Sequence, residues 1–152
     1  MEIINGERLV LGTCYYPEHW DESLWRDDLK RMLENGIEVI RIAEFAWSKI
    51  ERYEGVFNYD FFDRFLDVAA DMGMKVIFCT PTATPPAWLT EKYPEVLNAN
   101  MDGVLYRHGG RRHYNYNSPK YQELTRIIVE KSASHYAKHP AIIGWQIDNE
   151  IN

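Results

Sequence analysis

The chain has 152 residues, 45% hydrophobic, 26% charged and 14% aromatic; at roughly 150 residues per domain this reads as one domain with a proper core, and it excludes a disordered chain. A formal charge of −6 offers no basic face to nucleic acid or to an anionic membrane, so neutral or cationic partners fit better. No window approaches the 18 or so consecutive apolar residues of a membrane span, and the start, Met1-Glu-Ile-Ile-Asn-Gly-Glu-Arg, lacks the basic and apolar regions of a secretory leader. Two cysteines, Cys14 and Cys79, make neither a disulfide framework nor a metal site by themselves. The expectation is a cytoplasmic chain with reduced, partly buried thiols and no metal or cofactor.

Strand and helix signals alternate. Leu9-Val-Leu-Gly-Thr-Cys14 reads as a strand closed by the turn-rich Tyr15-Tyr-Pro-Glu-His-Trp20. Trp25, Leu29, Met32 and Leu33 recur at helical spacing, with Asp21 as N-cap and Gly36 as stop. Ile37-Glu-Val-Ile-Arg-Ile42 is a second strand after a very short connection. A helix from about Asn58 to Met72 would bury Phe61, Phe65, Leu66, Ala69 and Met72 before Gly73 ends it, and Lys75-Val-Ile-Phe-Cys79 is the third strand. Thr80 to Asn117 is rich in Pro and Gly and reads as a long irregular segment with one short helix near Ala87 to Lys92, a length of loop that is usually functional. Ser118-Pro119 opens a helix carrying Tyr121, Leu124, Ile128 and Ala137 until His139-Pro140 breaks it, and Ile142-Ile-Gly-Trp-Gln-Ile147 is the fourth strand.

Four βα units with helices long enough for right-handed crossovers imply a parallel α/β sheet. A doubly wound sheet competes with a (β/α)8 TIM barrel; the first strand lacks a Gly-x-Gly-x-x-Gly turn, and the notable polar residues fall just past strand C-termini, which favours the barrel. A closed barrel takes about 250 residues, so the expected architecture is the first four βα units, a half-barrel filling residues 1–152 with no second domain. Open edges at its first and last strands would invite pairing, giving a homo-oligomer or a need for the missing C-terminal half of the barrel.

Several residues could carry chemistry. Trp145-Gln-Ile-Asp-Asn-Glu150 ends the fourth strand with an amide beside a carboxylic acid, Asn149 and Glu150; breaking a glycosidic bond needs one acid to protonate the leaving oxygen and a second carboxylate as nucleophile or base. Glu150 fits the first role, against the bland alternative of a solvated surface acid. Arg41-Ile-Ala-Glu-Phe-Ala-Trp47 sets Arg41 at the end of the second strand and Glu44 in the loop after it, either as a structural ion pair or as donors and acceptors for sugar hydroxyls. Gly109-Gly-Arg-Arg-His-Tyr114 offers forked guanidinium donors. Trp20, Trp47 and Trp88 fit stacking on the apolar faces of a sugar ring, yet a tryptophan in such a place is more often core.

Tyr15-Tyr-Pro-Glu-His-Trp20, Arg41-Ile-Ala-Glu-Phe-Ala-Trp47, Thr82-Ala-Thr-Pro-Pro-Ala-Trp88, Arg111-Arg-His-Tyr114 and Trp145-Gln-Ile-Asp-Asn-Glu150, in this order, resemble the glycoside hydrolase family 42 β-galactosidases. That resemblance implies a (β/α)8 barrel followed by smaller domains, and retaining cleavage of terminal β-galactosides by two glutamates. It makes Glu150 the acid/base, Asn149 the partner of the hydroxyl next to the anomeric carbon, and Arg41 and Arg111 galactose-binding arginines, with Glu44 in the same pocket wall. The family's nucleophilic glutamate falls late in the barrel, and no residue here matches it. Some members bind zinc through a cysteine cluster whose first member follows the Arg-Arg-His-Tyr motif; Asn115 stands there instead. The implied function is a fragment of a β-galactosidase that hydrolyses little or nothing alone. A non-catalytic galactose-binding or structural half-barrel, and a fragment of a cellulase- or mannanase-like relative with the same Asn-Glu pair, remain as alternatives.

Overall fold

A computed structural model describes residues 9–150; the start that reads as free of a leader lies outside them. In chain order the elements are β1 (Leu11–Cys14), α1 (Trp25–Glu34), β2 (Ile37–Ile42), α2 (Trp47–Ile50), β3 (Glu51–Tyr53), β4 (Val56–Phe57), α3 (Asp60–Met72), β5 (Lys75–Cys79), α4 (Ala87–Lys92), α5 (Pro119–Tyr136) and β6 (Ile142–Gln146). The fold class is α/β: β1, β2, β5 and β6 form one parallel sheet in that order, the consecutive strand order of βα units in a (β/α)8 barrel. The chain divides into two compact units, Met1–Ala43 with Tyr59–Cys79 and Tyr136–Ile147, and Glu44–Asn58 with Thr80–His135 and Asp148–Asn152.

The first unit holds the sheet and its aromatic layer. Alternate residues of a strand face opposite sides, so Ile40 and Ile42 of β2 and Val76 and Phe78 of β5 are fully buried while Arg41 and Ile77 between them are half-exposed. Phe78 packs on Phe62, Tyr136 and Trp145, and Trp25 of α1 stands edge-on to Phe61 and Phe65 of α3. Tyr15 stacks on Phe65 and donates its hydroxyl to Asp28; burial pushes that hydroxyl well above its ordinary range, so it stays protonated. The buried face of α3 is Phe62, Phe65, Leu66 and Ala69, a strict i, i+3, i+4, i+7 stripe; Phe61 and Met72, expected on it, sit half-exposed at its margin. Gly73 caps α3 in the left-handed conformation (φ 77°), as a glycine does most cheaply.

Other boundaries shift by small, explicable amounts. Asp21 does cap a helix start, but that of a single 3-10 turn, Glu22–Leu24, leading into α1; its carboxylate accepts from the Ser23 amide and hydroxyl. β6 stops at Gln146 and leaves Ile147 exposed. Ala137 lies beyond the end of α5 and is exposed. Cys79 is buried, and Cys14 is exposed rather than partly buried, because all four residues of β1 are exposed.

The second unit is made of chain that follows the C-terminal ends of β2, β5 and β6. Its centre is aromatic: Tyr114 stacks on Tyr121 at 4.9 Å, and Trp47 lies 6.4 Å from Tyr121. Tyr121 donates its hydroxyl to the Thr82 carbonyl. Ser118 accepts from the Tyr121 amide, so α5 opens on the expected N-cap. The long segment is held by its own backbone: the Asn98 amide donates to the His113 carbonyl, the Asn115 amide to Val96, and Leu97 and Tyr114 form an antiparallel bridge.

Phe65 is fully buried between two aromatic rings. Phe65→Ala is expected to lower unfolding free energy by about 3–5 kcal/mol, read as a lower urea midpoint at unchanged slope.

Candidate active site

The predicted site residues fall in both units. In the first, Arg41 on β2 donates one guanidinium nitrogen to Gln146 Oε1 at 2.6 Å and the other to Cys14 Sγ at 3.0 Å. In the second, Glu44 is the first residue, 3% exposed. It follows Ala43, whose φ of 68° is left-handed.

After β6, Asp148 turns into the left-handed region and is buried; its amide donates to Thr80 Oγ1 at 2.7 Å, and Thr80 is in turn 3.3 Å from Thr82 Oγ1. The Asn149 amide donates to Asp148 Oδ1. Glu150 follows, also left-handed (φ 51°), with an exposed carboxylate.

The Gly109–Tyr114 segment meets Glu150. His113 is buried and its Nδ1 lies 2.6 Å from the Gly110 carbonyl, which fixes Nδ1 as the protonated nitrogen; burial lowers its pKa and keeps the ring neutral. With His113 and Tyr114 pinned, Arg112 takes a left-handed φ of 56° and Arg111 is exposed. Arg111 forms an ion pair with the Glu150 carboxylate, and Arg112 lies 3.9 Å from the same oxygen. Arg111, Arg112, His108, His113, Asn149 and Phe45 line a pocket of about 350 Å³. The structure therefore brings Arg111, Asn149 and Glu150 together.

Of the tryptophans, Trp47 is core, fully buried with its indole N–H donated to Glu51 Oε2 at 2.7 Å, so it is not available to stack on a sugar. Trp88 is half-buried and donates to the Glu51 carbonyl, and Trp20 is 54% exposed. Among the described residues, no three His, Cys, Asp or Glu side chains converge as metal ligands, and no helix is long and apolar enough to cross a membrane.

The sequence reading did not single out Glu51 or Thr80. Glu51 is a buried acid whose Oε1 accepts from the Gly55 amide at 2.8 Å, closing the β3–β4 turn. Desolvation raises its pKa against the lowering effect of those two donors. Neither residue is marked by a pattern along the chain.

Residues 14–152 match the family described as beta-galactosidase, glycoside hydrolase 42. The chain belongs to that family. It is 44% identical over 141 residues to the β-galactosidase Bga of Halorubrum lacusprofundi and 46% identical to the β-galactosidase BgaA of a Thermus species, matches that cover 93% of this chain and 20% and 22% of those relatives. The solved β-galactosidase of the psychrophilic Marinomonas ef1 superposes with a TM-score of 0.90 at 44% identity, and that of Bacillus circulans with 0.91 at 31%; they cover 93% and 95% of this chain, which spans 22% of each. The chain thus has about a fifth of the length of the β-galactosidases it matches.

A carboxyl whose pKa is raised in the folded state adds stability below its unfolded value and loses it as pH rises through the folded value. Wild-type chain, compared with Glu51→Gln, is expected to lose urea stability as pH rises from about 4, the ordinary glutamate value, towards 7. A difference between the two that is flat with pH would show that Glu51 does not titrate in this way.

Proposed function

We propose that the chain is a portion of a retaining β-galactosidase that carries its acid/base glutamate, Glu150, and several groups of its galactose pocket. The observation that carries the reading is the backbone: every non-glycine residue with positive φ among the described residues, Ala43, Arg112, Asp148 and Glu150, is a candidate site residue or its immediate neighbour. Such conformations cost of order 1–3 kcal/mol each and persist where the surroundings impose them, which is typical of functional sites.

In the complete enzyme, Glu150 gives its proton to the glycosidic oxygen as the C1–O bond breaks, and the nucleophilic carboxylate supplied by another part of the barrel takes C1. The Glu150 carboxylate then removes a proton from the water that attacks C1 and releases galactose. Asn149 holds the hydroxyl beside the anomeric carbon, while Arg41 and Arg111 donate to ring hydroxyls. The pairing of Arg111 with Glu150 links binding to chemistry: a sugar that takes Arg111's donors leaves the Glu150 carboxyl to the leaving oxygen. Glu44 belongs to the same pocket wall. Residues 1–152 belong to one catalytic barrel domain, active in the cytoplasm, where Cys14 and Cys79 stay reduced.

Because no residue here matches the nucleophile, nitrophenol release from nitrophenyl β-galactoside by the purified chain is expected to equal that of its Glu150→Gln variant. Galactose is nevertheless expected to raise the melting temperature of the chain, by an amount worth about 2.7 kcal/mol at a hundredfold excess over Kd. Turnover abolished by Glu150→Gln would overturn the first expectation, and no thermal shift with galactose would overturn the pocket.

The exposed residues of β1 and the half-exposed ones of β6 support pairing with a second copy or with the remainder of the barrel. Light scattering of the isolated chain is expected to give a mass above that of a monomer; a clean monomer would refute self-pairing.

A further inference from the structure

We infer that Gln146 is a positioning residue for Arg41. Cys14 is the register partner of Arg41, Arg41 of Ile77, Ile77 of Gly144, and Cys79 of Gln146. Register partners in a parallel pair share a face, and so do residues two apart on one strand. Cys14, Arg41, Ile77, Cys79 and Gln146 therefore lie on one face of the sheet.

On that face Arg41 is held from both sides. Its Nη2 donates to Cys14 on the neighbouring β1, and its Nη1 donates to Gln146 on β6, which lies beyond β5 in the strand order. Two strand spacings amount to about 10 Å, a distance that needs both a long arginine and a long glutamine. Gly144, the β6 residue on the same face two before Gln146, carries no side chain, and a methyl placed there would meet nothing within 4 Å, so the face is open on β6 beside Gln146.

The acceptor has to be the Gln146 oxygen, because a guanidinium has donors and no acceptor. This fixes the Gln146 amide as well as the arginine plane. A flexible, many-rotamer side chain is thereby held in a single orientation before any ligand arrives, and pre-organised donors bind more tightly than mobile ones. Leucine keeps the size of Gln146 and loses the acceptor, asparagine keeps the acceptor and loses the reach, and glutamate keeps both.

This inference rests on the reading of Arg41 as a galactose ligand, and its experiment separates the two. Side-chain nitrogen NMR of the full chain, with the Arg41 signals assigned by Arg41→Lys, is expected to show distinct, slowly exchanging Nη1 and Nη2 resonances. They are expected to coalesce in Gln146→Leu and Gln146→Asn and to separate again in Gln146→Glu, with far-UV circular dichroism unchanged throughout. Galactose affinity, read in the same titrations, is expected to weaken roughly tenfold in Gln146→Leu, the size expected for a lost hydrogen bond to a charged group, and to recover in Gln146→Glu. Separate resonances persisting in both Gln146→Leu and Gln146→Asn would overturn the inference. If Gln146→Leu loses its native circular dichroism, Gln146→Asn decides alone. Resonances that depend on Gln146 while galactose leaves the wild-type Arg41 signals unmoved would uphold the positioning role and overturn the galactose reading.

Discussion

In β2 the two-residue period of an extended strand sends Ile40 and Ile42 into the aromatic layer and leaves Arg41 on the opposite face. A slip of one residue in the pairing would exchange those faces, placing a guanidinium among Phe62, Phe65 and Phe78. The cost of burying an uncompensated charge there is several kcal/mol. The registers Cys14 to Arg41 and Arg41 to Ile77 are thus fixed by what cannot be buried as much as by what is. The same constraint that builds the first unit also delivers its cation to the face where Cys14 and Gln146 can reach it.

The second unit works by a different rule, since its chain is mostly irregular and its backbone groups need partners outside a regular ladder. Side chains and local backbone take up that task. Glu51 ties the Trp47 indole and the Gly55 amide, Thr80 receives the Asp148 amide, and the strip around Val96–Asn98 receives or serves His113 and Asn115. These links leave Arg111 and Glu150 exposed and Asn149 lining the pocket, on a backbone that is itself anchored. The ion pair joining Arg111 to Glu150 is exposed on both sides and by itself adds little to stability, which suits a contact that a ligand is to replace.

Periodicity made the sheet and the three long helices legible, because their buried residues recur at regular intervals: Val76 and Phe78 at two, Phe62, Phe65, Leu66 and Ala69 at three and four. The β3–β4 hairpin was not legible. Its strands have three and two residues, too short to show a period, and it depends on a carboxylate bonded to a turn amide. The candidate site was readable where residue type signals chemistry, as in Asn149, Glu150 and Arg111. It was not readable where identity is generic: Gln146 and Thr80 matter through the atoms that lie opposite them across the fold, and nothing along the chain announces a partner 105 or 68 residues away. Trp47 illustrates the reverse case, since an aromatic residue in a predicted loop looks the same whether it faces a ligand or the core.

The left-handed conformations at Ala43, Arg112, Asp148 and Glu150 also restrict which sequences can occupy these loops. A β-branched side chain at φ near 55° is a genuine outlier, so valine, isoleucine and threonine are closed to all four positions whatever the neighbouring side chains do. At Glu150 the backbone and the proposed chemistry constrain the same residue, whereas at Ala43, Arg112 and Asp148 the backbone constrains the neighbour of a candidate group. At those neighbours glycine, asparagine and aspartate take up this geometry most cheaply, and Asp148 is one of them while Ala43 and Arg112 hold it at some cost.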